Sequence, residues 1–331
     1  MKRPLLAITL GDVAGIGPEI VAKAWPKLFG SAKPIVIGEP KAMRAALRLV
    51  KADVELQPIA NITEAQPDTD LMPILTGTTR DLSDVRVGVM SAAAGGAAYD
   101  FLVKAIDLAK DGEIAGIVTC PLHKEGLNAA GIMLPGHTEI LAERTGAETH
   151  AMLLYDDALP LAVAHVTLHT AIRDCCAGIT RLSVLDKIRL LHAILPKLTG
   201  KPARIGICAL NPHAGDGGLF GDEEMTIMQP AIEDANREGI DASGPWPADA
   251  IFLPHHRVKF DGIVAMYHDQ GHVAMKLLGG RRAVNITAGL PIVRTSVAHG
   301  TAYDIAGLGL ADESSLISAV RVAARLTGYR S

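Results

Sequence analysis

The chain has 331 residues, 49% of them hydrophobic and 21% charged, with a formal net charge of −4. That length accommodates two domains with sizeable cores, and the composition excludes a disordered chain. The slightly acidic balance and scattered Lys and Arg exclude a general nucleic-acid binder, and no stretch reaches the ~18–20 uninterrupted apolar residues of a membrane span. At the N-terminus the short apolar run is interrupted at once by Asp12, which does not suit a secretory signal. Cys120, Cys175, Cys176 and Cys208 form neither a CxxC pair nor a disulfide framework. They read as reduced residues of a cytoplasmic protein.

Taken in order, residues 5–10 form a buried-strand pattern that ends at Gly11-Asp12, and Gly15-Ile16-Gly17-Pro18-Glu19 opens a helix. Pro18 suits a first helical turn, where its missing N–H costs nothing. A dinucleotide fingerprint fails here, because Ile20 stands where the third glycine belongs and a proline sits inside the turn. The turn reads instead as a ligand loop at a helix start. Residues 34–38 predict a strand, 43–50 a helix, and 52–84 the least regular segment, with one strand at 71–75. Residues 87–108 predict one long helix, whose small residues at 92–98 permit a tight helix–helix contact. A strand at 114–119 leads into Cys120-Pro121-Leu122-His123-Lys124-Glu125.

Pro135-Gly136-His137-Thr138-Glu139 opens another helix. This turn either receives an anion through imidazole, hydroxyl and free N–H groups, or Thr138 only caps the helix. Residues 152–155 and 161–167 predict adjacent strands, the second continuing toward His169, with His165, Thr167 and His169 on one face if extended. A helix at 182–198 and a strand at 203–210 precede a glycine-rich loop carrying His213, then a helix at 225–237. Asp249 leads back to a strand at 262–266, which empties into Tyr267-His268-Asp269-Gln270-Gly271. Lys276, a second strand-like run carrying Asn285, then Arg294 and His299-Gly300-Thr301 follow, and a helix at 314–326 ends the pattern. Strands alternating with helices predict an α/β protein with a mainly parallel sheet.

His169, His213 and His268 each follow a strand-like run and open a polar loop. Three neutral imidazoles with open positions are the pattern of a catalytic metal site, whereas each histidine alone is more ordinarily a hydrogen-bonded core or surface residue.

Seven blocks together carry a more specific signal. They are Gly11-Asp12-x-x-Gly15-Ile16-Gly17-Pro18-Glu19, Pro121-Leu122-His123-Lys124-Glu125 and Pro135-Gly136-His137-Thr138-Glu139. Leu210-Asn211-Pro212-His213-Ala214-Gly215, Gly217-Gly218-Leu219-Phe220-Gly221 and His268-Asp269-Gln270-Gly271 follow. The last runs from Asn285 through Arg294 to Ala302. In this order they resemble the 4-hydroxythreonine-4-phosphate dehydrogenase family. The resemblance implies a two-domain fold like that of isocitrate and isopropylmalate dehydrogenases, with an interdomain cleft and no Rossmann domain. The domains expected are 1–135 with 285–331, and 136–284 bearing the dimer interface and most metal ligands. It further implies NAD- or NADP-dependent oxidation of a small phosphorylated hydroxy acid to a 3-keto acid that decarboxylates, at a site shared across a homodimer.

The resemblance marks His169, His213 and His268 as metal ligands and His137, Thr138, Lys276, Asn285 and Arg294 as substrate contacts. The divalent metal is expected to be Zn, with Mg, Co or Mn as alternatives. Such a metal polarises the reacting hydroxyl, and Lys276 and Arg294 supply charge for phosphate and carboxylate. Asp249, Asp269 and Lys124 are the candidates for the proton acceptor. Val13, Ala298 and His272-Val273 depart from the biosynthetic pattern, and so do the residues around His169. These departures resemble the catabolic branch acting on 4-phospho-threonate or 4-phospho-erythronate. Two further readings stand beside these: a metal-dependent lyase or hydrolase without nicotinamide, and a non-catalytic binder of phosphorylated acids.

Overall fold

The structure, a computed structural model, describes residues 2–329, apart from the side chain of Arg281. Among the described residues twelve strands follow one another: β1 (Leu5–Thr9), β2 (Lys33–Gly38), β3 (Glu55–Ile59), β4 (Leu71–Thr76), β5 (Gly116–Thr119), β6 (Ala151–Asp156), β7 (Leu161–His165), β8 (Arg204–Cys208), β9 (Asp241–Trp246), β10 (Gly262–Ala265), β11 (Val284–Ala288) and β12 (Arg294–Val297). The chain divides into two compact units, Met1–Glu148 with Leu290–Ser331, and Thr149–Gly289. These bounds differ from the expected ones, which fall at 135/136 and 284/285. In the structure the helix bearing His137 falls in the first unit and the strand bearing Asn285 in the second.

In the first unit the strand order is β3-β4-β2-β1-β5-β12, and every pairing is parallel. Leu6, Ala7 and Ile8 of β1 and Ile35, Val36 and Ile37 of β2 are fully buried, as expected of strands covered on both faces. β3 arises within the segment that looked least regular. Its residues Glu55–Ile59 carry Gln57 and Pro58 and lie at the sheet edge, where a proline is tolerated. The helix expected from 87 spans Ala92–Lys110 instead; Val87 and Val89 are exposed, and the Ser91 side chain accepts from Ala94 N to start the helix. The close approach predicted for its small residues is present. A Cβ at Gly95 would lie 2.2 Å from the backbone carbon of Gly126, on the helix Lys124–Ala129.

The second unit orders its strands β11-β6-β7-β10-β8-β9. β7, β10, β8 and β9 are parallel to one another, but β6 runs antiparallel to both β11 and β7. The β6–β7 connection is a tight hairpin, held by Asp156, whose Oδ1 accepts from Ala158 N and Leu159 N. Two expectations are corrected here. The cluster after β10 is no loop: His268 begins the helix His268–Gly279. The strand carrying His165 stops at that residue, so His169 sits on an irregular segment and shares no strand face with it.

Candidate functional site

Parallel strands bring the loops at their C-terminal ends together, which is where α/β proteins place ligand groups. In the first unit β1, β5 and β12 are neighbours, and their following loops interlock. Asp12 N donates to Pro121 O at 2.9 Å and Ile16 N to Thr301 O at 3.0 Å. Gly11, at φ +64°, lies so close that a Cβ there would meet Pro121 O at 2.2 Å. Asp12 is fully buried; its carboxylate accepts from Ala14 N at 2.9 Å and from the Tyr303 hydroxyl at 2.7 Å. Burial raises the Asp12 pKa, while the Tyr303 and Ala14 hydrogen bonds and the nearby His123 oppose it. The His123 ring lies 5.0 Å from that of Tyr303. None of these contacts was anticipated from the Gly11-Asp12 turn, because the partner lies 291 positions away in the chain.

The same unit holds an anion-ready group. Arg294, at the start of β12, is 3% exposed and donates from Nη2 to Thr119 Oγ1 at 2.6 Å. Burial pushes its pKa down to about 9, with Glu139 opposing. His137 and Thr138 are half-buried at the N-terminal end of the helix His137–Thr145, whose N-cap Gly136 offers no side-chain oxygen to the free N–H groups. Burial first, then the positive charge of Arg294, holds His137 well below the ordinary histidine range, so its ring is neutral at pH 7. A buried guanidinium, a neutral imidazole and open N–H groups are stabilised together by a bound anion. Lys124, a candidate proton acceptor, is exposed at the start of its helix.

In the second unit β7, β10 and β8 are neighbours, and the three histidines follow their C-terminal ends. Thr167 N and Thr167 Oγ1 both donate to Met266 O, at 3.1 and 2.9 Å. Gln270 ties the other side, accepting from Met266 N at 2.7 Å and donating to Ala209 O at 2.8 Å. His169 and His268 line one cavity of about 440 Å³ with Tyr267, Asp269 and Cys175. Their ring centroids lie 6.2 Å apart. Asp269 Oδ1 lies 2.6 Å from His268 Nδ1; with the carboxylate accepting, the ring carries its proton on Nδ1 and leaves Nε2 free to ligate.

The donor chemistry of this pair suits a divalent metal. His213 lies on the neighbouring loop with its ring 6.4 Å from Phe220, and it does not line that cavity. Among the described residues no group of three or more His, Cys, Asp or Glu side chains is close enough to hold a metal ion. Asp249 is exposed in the first turn of the short helix Ala248–Ile251, Lys276 is exposed near the end of the helix His268–Gly279, and Asn285 is half-buried on β11.

Two further histidines, His165 and His272, pack beneath His268. His272 stacks on His268 with centroids 3.7 Å apart, and its Nδ1 lies 3.2 Å from both His165 Nε2 and His268 O. Burial, then the neighbouring imidazoles, pushes the His165 pKa down to about 3; burial and His268 push His272 to about 4. The four-residue spacing of 268 and 272 was the available signal, since such residues share a helix face. It was hidden because no helix was expected there.

Fold and loops thus define an α/β enzyme architecture with polar sites at the C-terminal ends of parallel strands. The family profile described as "Pyridoxal phosphate biosynthetic protein PdxA" matches residues 30–323. The chain is 47% identical over 321 residues to a 4-hydroxythreonine-4-phosphate dehydrogenase of Beijerinckia indica subsp. indica, covering 97% of this chain and 94% of that protein. It is 41% identical over 324 residues to a D-threonate 4-phosphate dehydrogenase of Pectobacterium atrosepticum, covering 97% and 99%. The crystal structure of a 4-hydroxythreonine-4-phosphate dehydrogenase from Klebsiella pneumoniae superposes with a TM-score of 0.88 at 38% identity, covering 98% of this chain and 99% of that one. This chain belongs to the PdxA family.

Proposed function

We propose that this chain is a divalent-metal- and NAD(P)-dependent dehydrogenase that oxidises 4-hydroxythreonine 4-phosphate or a close phosphorylated hydroxy acid to a 3-keto acid, which then decarboxylates. The observation that carries the reading is the pair His169 and His268 on one cavity, with Asp269 set to hold His268 as an Nδ1–H tautomer. His169, His268 and, from the adjacent strand end, His213 are the proposed ligands. A metal held there supplies Lewis acidity that lowers the pKa of the substrate hydroxyl. Arg294, His137 and Thr138 bind the anionic group of the substrate, with Lys276 and Asn285 as further contacts. Asp269 orients His268, and the proton acceptor is drawn from Asp249, Asp269 and Lys124. A homodimer is part of the same reading, supported by the family resemblance.

The 4-phospho-D-threonate or 4-phospho-D-erythronate reading rests on a specific observation. His272, one of the departures from the biosynthetic pattern, stacks directly on His268. The relative from Pectobacterium atrosepticum bears the corresponding name. The metal assignment is tested by the metal content of a His169→Ala/His213→Ala/His268→Ala variant. The reading expects loss of bound divalent metal, and full retention would refute the ligand set.

A further inference from the structure

Thr119 closes β5 with a side chain that is fully buried. It stands level with Thr9 on β1 and Ser296 on β12, so three hydroxyl residues lie abreast at the C-terminal ends of three parallel strands. Residues level in neighbouring parallel strands share a sheet face, and so do residues two apart in one strand. Arg294 therefore projects from the face that carries Ser296 and Thr119, and its Nη2 donates to Thr119 Oγ1 at 2.6 Å. Ser296 Oγ is turned to its own strand, donating to Val297 O at 3.0 Å. Of the row, Thr119 takes the arginine.

The threonine is a fixed acceptor. Its β-branched side chain has few χ1 rotamers, and the backbone beyond it is tied to the neighbouring strand and loop. Cys120 N donates to Thr9 O at 3.0 Å, and Asp12 N to Pro121 O at 2.9 Å. A guanidinium is planar and holds its N–H groups in a rigid fork, so fixing Nη2 sets the direction of the rest. Only 3% of Arg294 is exposed, so a small edge is open to a ligand and its orientation decides whether that edge is reached. Burial pushes the Arg294 pKa down only to about 9, so the group being oriented is a cation at pH 7. His137, hydrogen-bonded to the Cys120 backbone, is anchored to the residue that follows Thr119.

We infer that Thr119 is a positioning residue for Arg294: its hydroxyl oxygen holds the guanidinium in the orientation that receives the anionic group of the substrate. This rests on the proposed assignment of Arg294 to substrate binding. The alternative is a purely structural hydroxyl, which satisfies a buried N–H and whose loss lowers stability without touching anion affinity.

The test is titration of the full-length protein with inorganic phosphate, following heat, alongside the melting temperature without phosphate. The proteins compared are wild type, Arg294→Gln, Thr119→Val, Thr119→Ser and Thr119→Val/Arg294→Gln. Valine keeps the volume and branching of threonine and removes the acceptor, whereas serine keeps the acceptor. The expected result is phosphate binding about tenfold weaker in Thr119→Val, the scale of one lost hydrogen bond to a charged group. Thr119→Ser stays close to wild type, and the double variant binds no more weakly than Arg294→Gln alone. Wild-type affinity in Thr119→Val, with Arg294→Gln weakened, overturns the inference and leaves Arg294 as an anion contact. Thr119→Ser as weak as Thr119→Val also overturns it, since the hydroxyl is then not what orients the arginine. Unchanged affinity in Arg294→Gln, or no phosphate binding by wild type, overturns the Arg294 assignment itself, and the positioning role with it. If Thr119→Val does not fold, Thr119→Cys, whose sulfur is a weak acceptor, takes its place, and wild-type affinity in it overturns the inference.

Discussion

Gly271 lies in the first turn of the helix His268–Gly279, directly above His165. A Cβ at position 271 would fall 2.3 Å from His165 Nε2, 2.7 Å from Val163 Cγ1 and 2.9 Å from His165 Cδ2. Both neighbours belong to β7, and His165 is 1% exposed, so it has little room to withdraw. Overpacking of this kind costs about 1–3 kcal/mol. Displacing the ring also breaks its contact with His272 Nδ1, which contributes about 1 kcal/mol. Against this, alanine is better than glycine in a helix by about 0.8–1 kcal/mol. The balance for Gly271→Ala is a loss of about 1–3 kcal/mol, read as a melting temperature roughly 1.5–4 °C lower in the metal-free protein. The sharper test is the size of the effect in a second background. In His165→Ala the obstructing ring is gone and only the Val163 Cγ1 contact at 2.7 Å remains, so adding Gly271→Ala should cost clearly less there than in wild type, leaving a coupling between the two sites. A Gly271→Ala protein as stable as wild type, or equal effects in both backgrounds, would refute the packing described for His165.

Other predictions follow from the same two units. His165 and His272 are held neutral in the folded protein, at about 3 and about 4, while an unfolded histidine titrates near 6.5. Their contribution is fully present above about pH 6.5 and is lost as pH falls toward the folded values, because the unfolded chain then binds more protons. Metal-free protein should therefore lose up to about 1.4 kcal/mol per pH unit for each group below pH 6, and His165→Gln should flatten the slope in denaturant titrations at pH 4.5 to 7. Tyr303→Phe removes a donor from the buried Asp12 carboxylate and should lower stability by about 1–3 kcal/mol in thermal unfolding. Inorganic phosphate should raise the melting temperature of wild type, and Arg294→Gln should abolish that shift if Arg294 is the anion-binding cation.

Much of the architecture was readable because buried parallel strands are short apolar runs ending in polar turns; 71–75 and 262–266 were found in that way. The misses have physical reasons. The helix His268–Gly279 begins with His268-Asp269-Gln270-Gly271, polar residues and a glycine that look like a strand end, and its packing against His165 depends on that same glycine. β12 is four residues long and opens with an arginine, so no apolar run announces it. The antiparallel course of β6 is set by the hairpin at Asp156 and not by periodicity. His169, His213 and His268 were visible as residues following strands. The Asp12–Tyr303 bond and the His165–His272 contact were not, because each depends on partners that only the folded chain brings together.

We assign the proposed metal ligands His169, His213 and His268, with Arg294, His137 and Thr138 as the proposed anion-binding cluster, to nicotinamide-dependent oxidation of a phosphorylated four-carbon hydroxy acid. Absorbance of the reduced nicotinamide band tests it most directly, with NAD or NADP, a divalent metal, and in turn 4-hydroxythreonine 4-phosphate, 4-phospho-threonate and 4-phospho-erythronate. Metal-dependent growth of that band is expected with at least one of the three acids, abolished in the triple histidine variant. No growth with any of them, in protein shown to be folded and metal-loaded, would contradict it.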